Sequence, residues 1–368
     1  MPTDRAPTSI RSVHVTPLDI PLVSPFGISR GSLQAANNVL VAVGLEDGSM
    51  GHGEAAPFPA YNGETQAGAL AVLRDAAPAL VGRDAQDWRI LGAELRAAPG
   101  PARGSAVCAL ETALLDACGR RSGLPLWRHF GGVGTELETD MTVTTGTARE
   151  AAEAARAIRA RGIRSIKVKV GGPGGVEADL ERISAILEAA PGSPLILDGN
   201  AGIGREEAGR LARGLRERGI TPALVEQWLP RDDLEGMRAF RSETGWKVAA
   251  DESVSSAADA LRVARSGAAD VLNIKLMKAG LGEALEVVSV ARREGLGLMI
   301  GGNVESILAM TVSACFAAGL GGFEFADLDT PLFMASNPFE GGYDLLGARV
   351  SVAHLGAGHG VRPRGVLL

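Results

Sequence analysis

Cysteine and histidine are both scarce in this chain, and where they fall excludes more than their number does. The three cysteines, Cys108, Cys118 and Cys315, lie far apart with no CxxC pair. That pattern argues against a disulfide framework or a thiolate zinc site, and it fits a reducing cytoplasm. The five histidines, His14, His52, His129, His354 and His359, all lie outside residues 138–330. Chemistry in that middle stretch therefore runs without an imidazole base and without histidine-ligated zinc. An excess of one charge is missing too: a net charge of −6 with 22% charged residues suggests neither a nucleic-acid nor an anionic-membrane surface. The longest apolar run, "SILAMTVSACFAAGLGG" at 306–322, is short for a membrane span and reads as a buried helix running into a loop. The opening "MPTDRAPTSIRS" lacks the apolar core of a signal peptide. What remains is a globular chain of 368 residues, 46% apolar, long enough for a sizeable core and suited to a small-molecule partner.

Two regimes follow along the sequence. Residues 1–130 read as strands and then helices: "SVHVTPLDIPL" and "NVLVAVGLEDGSMGHGEA" are strand-like around an "EDGS" turn, and "SAVCALETALLDACGRRS" is strongly helical. From about 138 to 330 apolar strand-like runs alternate with Ala-, Glu- and Arg-rich helical stretches. The strands are "TDMTVTT", "SIKVKV", "PLILDGN", "ALVEQWL", "KVAADES", "DVLNIKL", "GLMIGG" and "FEFADLD". Eight strands in βα alternation, without the strand–GxGxxG–helix signature, argue for a TIM-like α/β barrel. The expected division is an α+β capping domain at 1–130, completed by the tail 345–368, and a barrel at 131–344.

In such barrels chemistry sits at the C-terminal strand ends. In "LILDGN", Leu195 and Leu197 face one way while Asp198 and Asn200 face the other; in "DVLNIKL", Leu272, Ile274 and Leu276 face outward while Asn273 and Lys275 face in. Asp198, Glu226 and Asp251, from successive strands, cannot all stay ionised at close range without a cation. Hard oxygen ligands point to Mg²⁺. In "SIKVKV", Lys167 and Lys169 share the interior face. Lys169 and Lys275 sit across the barrel on either side of the carboxylates, placed for proton transfer, with an amine pKa pushed down by burial and neighbouring cations. Lys167, one pleat deeper, supplies positive charge, and Lys278, past its strand end, reads as structural. Such a set suits removal of a proton α to a carboxylate through an enediolate, and two lysines on opposite faces invert the centre.

These residues resemble the enolase superfamily, in particular its muconate-lactonizing-enzyme-like subgroup, through "KVKV", "LILDGN", "VEQ", "ADES" and "NIKLMKAG". The match runs along almost the whole chain and implies a (β/α)₇β barrel under a capping domain. Within the subgroup "FADLDTP" looks like the signature of dipeptide epimerases of the L-Ala-D/L-Glu type, in which Asp327 and Asp329 hold the substrate's α-ammonium group. Residues i and i+2 put both carboxylates on one face, a good fit for –NH₃⁺. The resemblance also places Thr142, Gly302 and Val304 at the substrate, and assigns Arg30 of "SPFGISRG" to an acidic side chain. Phe58 and Tyr61 line the other capping loop and suit an apolar or mixed one. Trp228 replaces the commoner proline of "EQPLP" and is expected to reshape the rim; Asn303 stands where methionine is frequent. The implied enzyme is a cytoplasmic, Mg²⁺-dependent homo-oligomer. Alternatives on the same machinery are a cycloisomerase, an o-succinylbenzoate synthase or an N-succinylamino-acid racemase, none needing the aspartate pair. A catalytically dead barrel kept as a binding protein is a third class, disfavoured by the complete set of lysines and carboxylates.

Overall fold

The computed structural model describes residues 6–28 and 31–365. Three antiparallel strands open the chain, β1 (Ile10–Ile28), β2 (Gly31–Leu45) and β3 (Met50–Ala55), and the helix Gly104–Ser122 lies on them. The approach is close enough to require glycine. A Cβ on Gly51 or Gly53 would lie 2.1 or 2.0 Å from the carbonyl oxygens of Ala113 and Ala109 in that helix. Among the described residues no helix is long and apolar enough to cross a membrane.

After β4 (Glu136–Glu138) come eight parallel strands in one curled sheet: β5 (Met141–Val143), β6 (Ile166–Lys169), β7 (Leu195–Asp198), β8 (Leu224–Glu226), β9 (Val248–Ala250), β10 (Val271–Ile274), β11 (Gly297–Ile300) and β12 (Phe323–Ala326). Every consecutive pair is bridged by a helix, giving the (β/α)₇β order. The two edge strands meet where the Asp140 amide donates to the Ala326 carbonyl at 2.9 Å. Alternation along these strands separates two cores. Ile166, Val168, Leu195, Leu197, Leu272 and Ile274 pack outward against the helices. Ile196, Leu224, Ala249, Val271 and Met299 form a small inner plug, so the residues two further along β7 and β10 continue that inner face toward the mouth. The run at 306–322 is the helix Ile307–Leu320, almost entirely buried. Phe316 in it is fully buried, so Phe316→Ala is expected to cost about 3–5 kcal/mol of stability, read as a lower denaturant midpoint.

The tail divides between the two layers. β13 (Phe339–Glu340) pairs with β16 (Arg362–Pro363), and β14 (Asp344–Leu346) pairs with β15 (Arg349–Ser351), which continues onto β4. Beyond β15 the His359 amide donates to Asp116 of the helix Gly104–Ser122 at 3.0 Å, and Arg120 donates to the Val361 carbonyl at 2.7 Å. Buried carboxylates fasten the N-terminal layer to the barrel by meeting unpaired amides at helix N-termini. Glu54 at the end of β3 accepts from Ser306 (3.0 Å) and Ala309 (3.3 Å), and Glu111 accepts from the amides of Leu281 and Gly282. These contacts set the N-terminal layer over the barrel's C-terminal mouth.

Candidate active site

Register places the carboxylates side by side. Asp198 is opposite Glu226 across β7 and β8, Lys169 is opposite Asp198 across β6 and β7, and Asp251 follows β9 directly. Asp198, Glu226, Asp251 and Lys167 are fully buried, and Lys169 is 5% and Lys275 9% exposed. The Lys167 ammonium lies 2.7 Å from Asp327 Oδ2, 2.9 Å from Glu226 Oε2 and 3.1 Å from Asp198 Oδ2. Lys169 Nζ is 2.6 Å from Asp198 Oδ2, and Lys275 Nζ is 2.8 Å from Asp251 Oδ2. Each lysine on the flanks thus pairs with a carboxylate of the neighbouring strand's end, with three strands between β6 and β10.

The electrostatics are those of charges crowded out of water. Burial alone would raise the Asp198 carboxyl, but Lys167 and Lys169 outweigh it and hold it below the usual range. Asp251 is likewise lowered, by Lys275 and Lys278 against burial. Glu226 goes the other way, pushed up to about 7 by burial and by Asp198. For Lys275 burial lowers the amine most, and Asp251, Glu226 and Glu252 together more than offset it, so in the metal-free chain it stands above its ordinary value. Lys167 is also held charged, by Asp198, Asp327 and Glu226 against burial.

One pocket gathers Phe58, Thr142, Lys169, Asn200, Lys275, Gly302, Asn303, Val304, Asp327, Asp329 and Thr330. It therefore brings both flanking lysines together with the aspartate pair and with Thr142, Gly302 and Val304. Arg30 lies outside the described residues. The Thr142 amide donates to Asp329 Oδ2 at 2.7 Å, and Asp329 is pushed up to about 8 by burial and by Asp327. Asn303 ties the loop after β11 to the N-terminal layer through a 2.9 Å bond to the Ala56 carbonyl. Tyr61 reaches the rim, its hydroxyl 3.3 Å from Ser255 Oγ.

Three placements differ from expectation or were missed. Trp228 does not shape the rim: it is 2% exposed, donates to the Leu197 carbonyl at 2.9 Å and packs against Phe240 in the barrel wall. Lys278 turns back into the site, its Nζ 2.8 Å from Asp251 Oδ1 and bonded to the carbonyls of Asp251 (2.6 Å) and Asn273 (2.8 Å). Asp140, which shares Thr142's face by alternation, lies beneath the aspartate pair. Among the described residues the oxygens of Asp140, Asp327 and Asp329 form the tightest acidic convergence, all within 4.8 Å. Lys167 pairs with Asp327 of this group, and burial and Asp327 hold Asp140 well above the carboxylate range.

Comparison with known proteins agrees along the whole length. The family description "Enolase C-terminal domain-like" matches residues 149–365, and "Mandelate racemase / muconate lactonizing enzyme, N-terminal domain" matches residues 10–131. An aromatic dipeptide epimerase of Herpetosiphon aurantiacus is 51% identical over 96% of this chain and 99% of its own. An L-Ala-D/L-Glu epimerase of Thermotoga maritima is 36% identical over 89% of this chain and 94% of its own. The solved structure of a dipeptide epimerase from Enterococcus faecalis, complexed with Mg and the dipeptide L-Leu-L-Tyr, superimposes with a TM-score of 0.90 at 32% identity, covering 96% of this chain and 99% of that one. With both halves matched in order around this lysine and carboxylate arrangement, the chain belongs to the mandelate racemase/muconate lactonizing enzyme family.

Proposed function

We propose that this chain is an isomerase that epimerises dipeptides at the α-carbon beside the free carboxylate, with Mg²⁺ as its metal. The observation that carries the reading is the single pocket holding Lys169 and Lys275 together with Asp327 and Asp329. The donor set fits the metal. Glu226 Oε2 and both carboxylate oxygens of Asp251 are buried oxygens met by lysine ammoniums alone, and Asp198 and Asp251 both push the neighbouring Glu226 up, as converging hard anionic donors do. Asp198, Glu226 and Asp251 would hold Mg²⁺, whose charge on the substrate carboxylate would acidify the α-proton.

The rest falls to the chain's own side chains. One of Lys169 and Lys275, as a neutral amine, takes the α-proton; the other, as an ammonium, delivers a proton to the opposite face, and the centre inverts. Lys275 Nζ lies 2.8 Å from Asp251 Oδ2 and Lys169 Nζ 2.6 Å from Asp198 Oδ2, so each proton-transfer group is oriented by a carboxylate of the neighbouring strand. Lys167 supplies a fixed positive charge against the developing anion. Asp327 and Asp329 hold the substrate's ammonium. Lys167 occupies one oxygen of Asp327 and the Thr142 amide one of Asp329, which leaves the second oxygen of each for the ligand. Phe58 and Val304 line the pocket and pack into an apolar cluster with Leu18, Ile20 and Leu40, a wall suited to an apolar or aromatic substrate side chain.

The aspartate pair supplies the test. Asp327→Asn or Asp329→Asn removes half the charge opposite the ammonium, and a charged hydrogen bond of this kind is worth about 1.5–3 kcal/mol. A loss of roughly ten- to a hundredfold in kcat/KM per aspartate is expected, with Mg²⁺ affinity little changed. N-acetylation of the dipeptide should be at least as damaging. An enzyme that instead preferred N-acylated amino acids would overturn the dipeptide reading.

A further inference from the structure

Backbone strain among the described residues is concentrated at one place. Among the described residues three non-glycines have positive φ: Asn200 (45°), Ala201 (56°) and Gln227 (34°). L-residues rarely adopt that conformation, and it persists only where surrounding contacts enforce it. All three follow the ends of β7 and β8, and one residue holds the group together. The Gln227 amide donates to the Ala249 carbonyl at 3.0 Å, and its carbonyl accepts from Ala201 at 2.7 Å. Its side-chain Oε1 accepts from the amides of Asp251 (2.9 Å) and Ser253 (3.2 Å). Its Nε2 donates to Ser253 Oγ (2.8 Å) and to the Leu229 carbonyl (3.0 Å). Gln227 is fully buried and does not line the pocket.

We propose that Gln227 is a positioning residue that sets the protein's Mg²⁺ affinity. It adjoins Glu226 directly, fixes the backbone after Asp198 through Ala201, and fixes Asp251 through its side chain, so one residue registers all three carboxylate-bearing strand ends. Its left-handed turn breaks the strand after Glu226 and turns its own side chain toward β9. Three carboxylates repel one another, and the brace adds to the lysine ammoniums in keeping them converged. The brace is built from uncharged groups, backbone amides and carbonyls with the Ser253 hydroxyl, which remain whatever charge the carboxylates carry. A side-chain amide serves here because two donors and an acceptor are needed at once; a carboxylate would lack the donors and add repulsion.

The inference rests on the assignment of Mg²⁺ to Asp198, Glu226 and Asp251, and the experiment separates the two. Mg²⁺ binding to the full-length protein is titrated calorimetrically for wild type, Asp251→Asn, Gln227→Met and Ser253→Ala. Gln227→Met keeps the side chain's length and deletes all its polar contacts; Ser253→Ala removes one partner and keeps the rest. Gln227→Met should weaken Mg²⁺ at least tenfold and Ser253→Ala roughly threefold. For both, kcat at saturating Mg²⁺ should return to within a few-fold of wild type, with the dipeptide KM little changed. That rescue is what a general loss of structure would not give. Mg²⁺ affinity within twofold of wild type in folded Gln227→Met overturns the proposal, as does a loss of kcat that added Mg²⁺ does not restore. If Gln227→Met does not fold, Ser253→Ala decides by the same twofold criterion. Wild-type Mg²⁺ binding that survives Asp251→Asn would instead remove the metal assignment itself, and the inference with it.

Discussion

Replacing Lys169 or Lys275 with alanine is expected to stop epimerisation, with kcat falling about 10²- to 10⁴-fold, the range of a positioned acid or base. Inversion needs a proton removed on one face and returned on the other, so neither lysine substitutes for its partner. The two variants should still differ from each other. Each keeps one proton-transfer group, so each can exchange the α-proton of a single diastereomer with solvent while failing to interconvert the pair. Proton NMR of each diastereomer with each variant in D₂O reads this directly. Both variants exchanging neither diastereomer would indicate collapse of the site, which a melting curve checks, because Lys169 and Lys275 also neutralise Asp198 and Asp251. Normal turnover in both would exclude the lysine pair as the proton-transfer groups.

Chelation is expected to have the other large effect. EDTA should abolish turnover and added Mg²⁺ restore it, and Asp251→Asn should lower kcat/KM by about 10²- to 10⁴-fold, since Lewis-acid stabilisation of a developing anion is worth several kcal/mol. Asp251→Asn also strands the Lys275 and Lys278 ammoniums, each 2.8 Å from a carboxylate oxygen of Asp251. Its melting temperature should therefore fall as well, because a buried ion pair that loses one partner leaves an uncompensated charge. Undiminished activity after exhaustive chelation would remove the metal from the account.

The barrel and most of its mouth were legible because they rest on alternation. Lys167, Lys169, Asp198 and Asn273 lie on the interior face while Ile166, Val168, Leu197 and Leu272 pack against the helices, as a period of two requires. Legibility ended where the backbone left the strand. Trp228 was expected at the rim, but φ of 34° at Gln227 breaks the alternation one residue earlier and sends the indole into the wall. Lys278 looked peripheral because it lies beyond β10; the 3₁₀ turn Leu276–Lys278 brings it back onto Asp251. Asp140 could have been found, since it precedes Thr142 by two residues and so shares its face, but an acidic residue at a strand's start more commonly faces solvent.

The central claim is that a proton leaves one face of the α-carbon to a lysine and a different proton arrives on the other. Its most direct measurement is a single-turnover reaction in D₂O, starting from an undeuterated L,L-dipeptide with an apolar C-terminal residue and Mg²⁺, followed by proton NMR and mass spectrometry. Inversion by two separate groups should give the L,D product with deuterium at the C-terminal α-carbon from the earliest time points, and no deuterium at the N-terminal α-carbon. An L,D product that instead retains the original α-hydrogen would show that one group both removes and returns the proton, and would contradict the account.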